Sequence, residues 1–187
     1  MNELKGRKIV MIADDGFEDT ELMYPLYRLR HETCADVTVA GIHEGRTIMG
    51  KYGLPITTEA AIRDLNPDDY EALVIPGGGS PDHLRVNPEV IDFVQGFDRT
   101  GKTIAAICHG VQVLITARLL QDREATGWKS LRVDIENAGA RYVNLPLVIS
   151  QQYIFSRQPS DLGFFCDAII NSLSPGISIS AAELARA

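Results

Sequence analysis

The sequence predicts an α/β sandwich in which a parallel sheet is covered by helices on both faces. Three observations lead there. Strand and helix signals alternate along the chain. The strand segments are near-continuous apolar runs, as strands buried on both faces require. Several of those runs end at Gly-containing or polar turns that lead directly into helical periodicity.

Each element follows from its residues. Residues 8–13 (KIVMIA) are a β-branched apolar run that stops at the turn cluster Asp14-Asp15-Gly16. Residues 18–30 place Leu22, Leu26 and Leu29 at helical spacing behind acidic first-turn residues, and Pro25 predicts a kink. A second strand occupies 36–40 (DVTVA), and the Gly-punctuated stretch 47–58 reads as a hairpin or irregular strand pair. Residues 72–75 (ALVI) form a buried strand ending at Pro76-Gly77-Gly78-Gly79. A helix over 87–99 follows from Val90, Ile91, Phe93, Val94 and Phe97, with Pro88 suited to its first turn. Residues 103–107 (TIAAI) are a strand stopped by Cys108-His109-Gly110, and 111–120 (VQVLITARLL) reads as a buried helix. A short helix over 133–138, two short strands within 147–156 and a helix over 161–173 complete the pattern. The tail from Ser174, peripheral to the rest, is expected to add a short helix over 180–186.

Composition fits this reading. The chain has 187 residues, 45% of them hydrophobic and 23% charged, close to a soluble globular average and unlike a disordered or fibrous chain. Without a long linker, repeat or low-complexity tract, residues 1–187 are expected to be one domain, large enough to fold without a metal or disulfide. Eighteen Lys+Arg against 25 Asp+Glu give a net charge of -7, which argues against nucleic acid or an anionic membrane as partner. Three cysteines make no disulfide framework. No apolar run approaches the roughly 18 residues that cross a bilayer, and no signal region opens the chain. A cytoplasmic location with reduced thiols is expected.

Ligands of open parallel sheets bind beyond the carboxyl ends of the strands. Three segments occupy such positions: Asp14 to Glu18, Pro76 to Gly79 and Cys108 to Gly110. Cys108 is the candidate nucleophile, because a strand-to-helix turn exposes its sulfur beside backbone N–H groups and a helix dipole that would lower its pKa. A buried structural cysteine is the competing reading, and it is the one given to Cys34 and Cys166. His109 serves Cys108 as a base only if Cys108 departs from helical geometry, since neighbours in a regular helix point about 100° apart. Glu18 is either a helix-terminus carboxylate or an acid beside the thiol, with its pKa raised by a thiolate. The Gly77-Gly78-Gly79 turn lacks the Lys-Ser/Thr of a phosphate loop, and serves better as a pair of N–H donors for an oxyanion. The four scattered histidines, with no CxxC or HExxH, offer no metal site, and no cofactor is expected.

Phe17-Glu18-Asp19-Thr20-Glu21-Leu22, Ile75-Pro76-Gly77-Gly78, Ala106-Ile107-Cys108-His109-Gly110 and Ser156-Arg157-Gln158-Pro159-Ser160-Asp161-Leu162 together resemble the PfpI-type intracellular protease family of the ThiJ/PfpI superfamily. The resemblance extends over about residues 8–173. It implies a flavodoxin-like, class I glutamine-amidotransferase-like three-layer sandwich with a mostly parallel sheet. It also implies that Cys108 is the nucleophile, His109 its neighbouring base and Glu18 the carboxylic acid bonded to sulfur. Gly78 and the His109 backbone correspond to the oxyanion hole. Asp82 stands where PfpI-type proteases place a Glu reaching the histidine of a neighbouring subunit, so a homodimer or higher homo-oligomer is implied. Val111 replaces the Pro usual after Cys-His-Gly, and Asp82 is one methylene shorter than Glu. Superfamily members include peptidases, glyoxalase III-type enzymes, deglycases and stress-linked proteins. The expected function is therefore cysteine-dependent hydrolysis or lysis of small carbonyl or acyl substrates. The alternative is a redox-sensing or protective stress-response protein whose cysteine is oxidised.

Overall fold

The computed structural model describes residues 3–174. Its strands are β1 (Lys8–Ile12), β2 (Asp36–Gly41), β3 (Thr47–Met49), β4 (Pro55–Thr57), β5 (Ala60–Ala61), β6 (Ala72–Ile75), β7 (Thr103–Ile107), β8 (Glu124–Ala125), β9 (Arg141–Tyr142), β10 (Val148–Ser150) and β11 (Tyr153–Ser156). Its helices are α1 (Asp19–Tyr27), α2 (Ser80–Arg85), α3 (Pro88–Arg99), α4 (Val111–Thr116), α5 (Arg132–Asn137) and α6 (Leu162–Leu173).

The central sheet runs β10-β11-β7-β6-β1-β2-β5. All its pairings are parallel except β10 with β11 at one edge, the tight pair around Gln151-Gln152. The period of two along each strand divides the core. Ile9 and Met11 of β1 face α1 and α6, whereas Val10 and Ile12 face α2 to α5. This is the expected flavodoxin-like three-layer sandwich.

From β1 the chain moves to β2 on one side, and later to β6 and β7 on the other. The order therefore reverses between β1 and β6, and the crevice at such a point is the usual ligand position of an open α/β sheet. The turns that follow β1, β6 and β7 meet there.

Several expectations shift in detail. Pro25 is buried inside α1, and the helix widens afterwards into a π-turn over Arg28–Glu32. The helix expected over 111–120 ends at Thr116. The two-residue strands β5, β8 and β9 carry no periodic signal of their own. The short helix expected over 180–186 lies outside the described residues.

Candidate functional site

Cys108 immediately follows β7 and has a φ of 59°, a left-handed backbone that a cysteine adopts only when its surroundings enforce it. The enforcement comes from close backbone packing. Gly110 lies so near β6 that a Cβ there would stand 2.2 Å from the Ile75 carbonyl oxygen. On the other side, Trp128 donates its backbone N–H to the Cys108 carbonyl. This break from helical geometry lets adjacent side chains meet: the His109 Nδ1 is 3.3 Å from the Cys108 Sγ. The His109 ring stacks on Trp128 with centroids 6.2 Å apart.

The turn after β6 closes the site from the next strand. Gly78 has a φ of 80°, and a side chain at Gly77 would meet Cys108, Glu21 and the His109 backbone at once. The backbone N–H groups of Gly78 and His109 both bond the Cys108 sulfur. They are the pair expected to form the oxyanion hole, and they converge on one atom.

The expected acid is corrected. The carboxylate of Glu18 caps its own helix, accepting from the Glu21 N–H at 2.8 Å and the Thr20 hydroxyl at 2.5 Å. Glu18 still lines the cavity, but the carboxyl in contact with the thiol belongs to Glu21, one turn further along α1. Glu21 is fully buried, and its Oε2 accepts from the Gly77 N–H at 2.9 Å. Its Oε1 is buried without a hydrogen-bond partner, and the carboxyl as a whole interacts with the Cys108 thiol.

Burial, reinforced by the charge of Glu18, pushes the Glu21 carboxyl up to about 8, so it holds a proton at neutral pH. The expected depression of the Cys108 thiol is also corrected. Burial and an ionised Glu21 push the thiol up, against the two N–H donors that pull it down. Two negative charges in contact are costly, so the carboxyl and the sulfur do not both ionise, and the pair reacts after giving up one of its protons. Burial, with Lys51 nearby, lowers the His109 pKa and keeps the imidazole neutral at pH 7.

These groups line a cavity of about 340 Å³ with Lys51, Tyr52, Gly79, Trp128 and Pro159. Gly79 and Pro159 belong to segments singled out in the sequence, whereas Lys51, Tyr52 and Trp128 were not, because they come from loops that only the fold brings together. Asp82 is exposed on α2 and does not line its own chain's cavity. Among the described residues no cluster of His, Cys, Asp or Glu could hold a metal ion. No helix among them is long and apolar enough to cross a membrane.

A family model described as DJ-1/PfpI matches residues 7–172. The chain belongs to the DJ-1/PfpI family. A Bacillus subtilis relative named General stress protein 18 is 42% identical over 86% of this chain and 94% of its own. A Pyrococcus furiosus relative named Deglycase PfpI is 36% identical over 83% of this chain and 92% of its own. A DJ-1/PfpI-like and ferritin-like two-domain protein from Anabaena variabilis superposes with a TM-score of 0.88 at 36% identity. That match covers 93% of this chain and 50% of the two-domain chain. Schizosaccharomyces pombe DJ-1, at 22% identity and a TM-score of 0.79, shares the fold.

Proposed function

We propose that the protein is a cysteine-dependent hydrolase or deglycase-like enzyme of small carbonyl or acyl compounds, with Cys108 as nucleophile. The observation that carries this reading is what surrounds the Cys108 sulfur: two N–H donors, a neutral imidazole and a protonated carboxyl, all at one cavity. The names of the deglycase and stress-protein relatives support the same class.

In the reacting state Glu21 holds the shared proton and sulfur carries the charge. The sulfur electron pair forms a C–S bond to the carbonyl carbon, and the π pair moves to oxygen. The Gly78 and His109 N–H groups receive that oxyanion, each such donor being worth about 3 kcal/mol. With an acyl substrate the adduct collapses, and the leaving group departs with the Glu21 proton. With methylglyoxal the Glu21 proton goes to the oxyanion to give a hemithioacetal, and His109 moves the C1 proton to C2, an isomerisation that yields the lactoyl thioester without an external oxidant. Water then attacks the thioester while His109 takes its proton, and the thiolate leaves. Return of that proton from His109 to Glu21 restores the starting state.

We further propose assembly as a homodimer or higher homo-oligomer, in which the partner subunit's Asp82 orients His109. The exposure of Asp82 on α2 leaves it available for this role. A second reading is a protective protein whose Cys108 is oxidised, favoured by the relative named a general stress protein. Methylglyoxal turnover by the purified protein tests the first reading. Turnover that Cys108→Ser abolishes is expected, and turnover equal in both proteins would overturn it. Peroxide-driven sulfinic acid at Cys108 without turnover would favour the second.

A further inference from the structure

The cavity has one cationic lining residue, and neither the acid–thiol pair nor the oxyanion donors account for it. Lys51 stands at the tip of the β3–β4 hairpin and faces the same space as Cys108 and His109. The hairpin tip is tied down. Lys51 donates its backbone N–H to the Phe17 carbonyl at 2.7 Å, next to the Glu18 cap. The Asp19 carboxylate accepts from the Tyr52 N–H at 2.9 Å and the Leu54 N–H at 3.1 Å. Gly50 packs so tightly on Asp19 that a Cβ there would stand 2.5 Å from its carboxylate.

This anchoring has an electrostatic consequence. Asp19 packs against the tip, and its two oxygens are taken by backbone N–H groups. Lys51 forms no ion pair among the described residues. Its ammonium lies 5.2 Å from the Tyr52 ring centroid, a contact that steadies the cation without neutralising it. Glu18, the other charged lining residue, is committed to its own helix cap, so in a chain of net charge -7 a cation without an ion pair on a held turn at a reactive cavity is a recognition element.

We propose that Lys51 is the anion-recognising group of the cavity, and that the preferred substrates are reactive carbonyl or acyl compounds bearing a carboxylate. The proposal rests on the reading of Cys108 as nucleophile. Lys51 holds the carboxylate while the electrophilic carbon faces sulfur, a positioning that costs the substrate little because both groups are fixed. The field of Lys51 already reaches the inner groups: it adds to burial in lowering the His109 pKa, and at Glu21 it opposes the rise that burial causes.

Iodoacetate and iodoacetamide test this, because they deliver the same carbon to the same thiolate and differ in charge. In each case sulfur displaces iodide and a C–S bond forms. The rate ratio of the two reagents at Cys108, read by peptide mass spectrometry, cancels any change in thiolate content. The expected ratio favours iodoacetate in the wild type, falls about tenfold in Lys51→Gln and returns to within about twofold in Lys51→Arg. Raising the salt to about 1 M should also lower the wild-type ratio, because the group is exposed. An equal ratio in wild type and Lys51→Gln overturns the role of Lys51 while leaving the nucleophile in place. Failure of iodoacetamide to label Cys108 faster than Cys166 overturns the nucleophile, and this proposal with it.

Discussion

Cys108 after β7 and Cys166 within α6 are both buried, and burial raises the pKa of both thiols. Cys166 is fully buried among Ile169, Phe165 and Ala168, with its thiol pushed up to about 12. It lies on a regular helix whose N–H groups are committed to their own carbonyls. Cys108 differs in having two N–H donors, a neighbouring imidazole and a carboxyl able to give it a proton bond. The contrast teaches that exposure does not make a thiol reactive in this fold. What matters is whether the backbone is forced out of regular structure, so that polar groups turn toward the sulfur.

The largest expected effect is on turnover. Cys108→Ser should lower it by about a thousandfold or more, whereas Cys166→Ala should leave it within about twofold. Cys166→Ser should instead lower stability by about 1–3 kcal/mol in urea unfolding, because it buries a hydroxyl without an assured partner. Comparable activity losses from Cys108→Ser and Cys166→Ala would break the contrast.

Next in size is the elbow itself. Gly110→Ala must push against the Ile75 carbonyl, so a loss of about 2 kcal/mol or more is expected in thermal or urea unfolding. Turnover at permissive temperature should fall as well, because the Cys108 backbone would shift. Wild-type stability in this variant would show that the close approach is not needed.

Glu21 gives a pH signature. Its carboxyl is raised from 4.5 to about 8 in the folded protein, so the native state binds the extra proton between those values. Stability attributed to this group is then full below about 4.5 and lost as pH rises through about 8. Glu21→Gln should flatten that decline, gaining up to a few kcal/mol on wild type at the alkaline end, while Glu18→Gln should keep it. Parallel pH–stability curves for wild type and Glu21→Gln would contradict the assignment.

The sheet and the elbow were legible because their signals are local. The runs at 9–12, 72–75 and 104–107 are apolar throughout, and each leads into a turn that carries Gly or polar residues. Cys108 stood out by position alone. The acid was misplaced for a physical reason: Glu18 and Glu21 are three residues apart and share a helix face, so periodicity cannot choose between them. A usable signal was present in the position of Glu18 at the N-cap of the helix. A cap carboxylate is occupied by its own helix, which leaves the residue at the third helical position free to reach the strand ends. Lys51, Tyr52 and Trp128 had no such signal, since each sits in a loop whose place depends on the whole fold.

The smallest expected effect belongs to Asp82. If the partner subunit's Asp82 orients His109, Asp82→Ala should lower turnover several-fold, and mixing it with Cys108→Ser subunits should restore part of the loss. A monomer in sedimentation with unchanged turnover in Asp82→Ala would remove this residue from the mechanism.

The central claim is that Cys108 is the reactive thiol because Glu21 shares a proton with it. The most direct measurement is the rate of iodoacetamide labelling at each cysteine as a function of pH, in wild type, Glu21→Gln and Glu18→Gln. Cys108 should label faster than Cys166, at a rate that climbs as the Glu21–Cys108 pair gives up its first proton. Its profile should move in Glu21→Gln and hold in Glu18→Gln. Labelling of Cys108 no faster than Cys166, or a profile that responds to Glu18→Gln and ignores Glu21→Gln, would contradict the account.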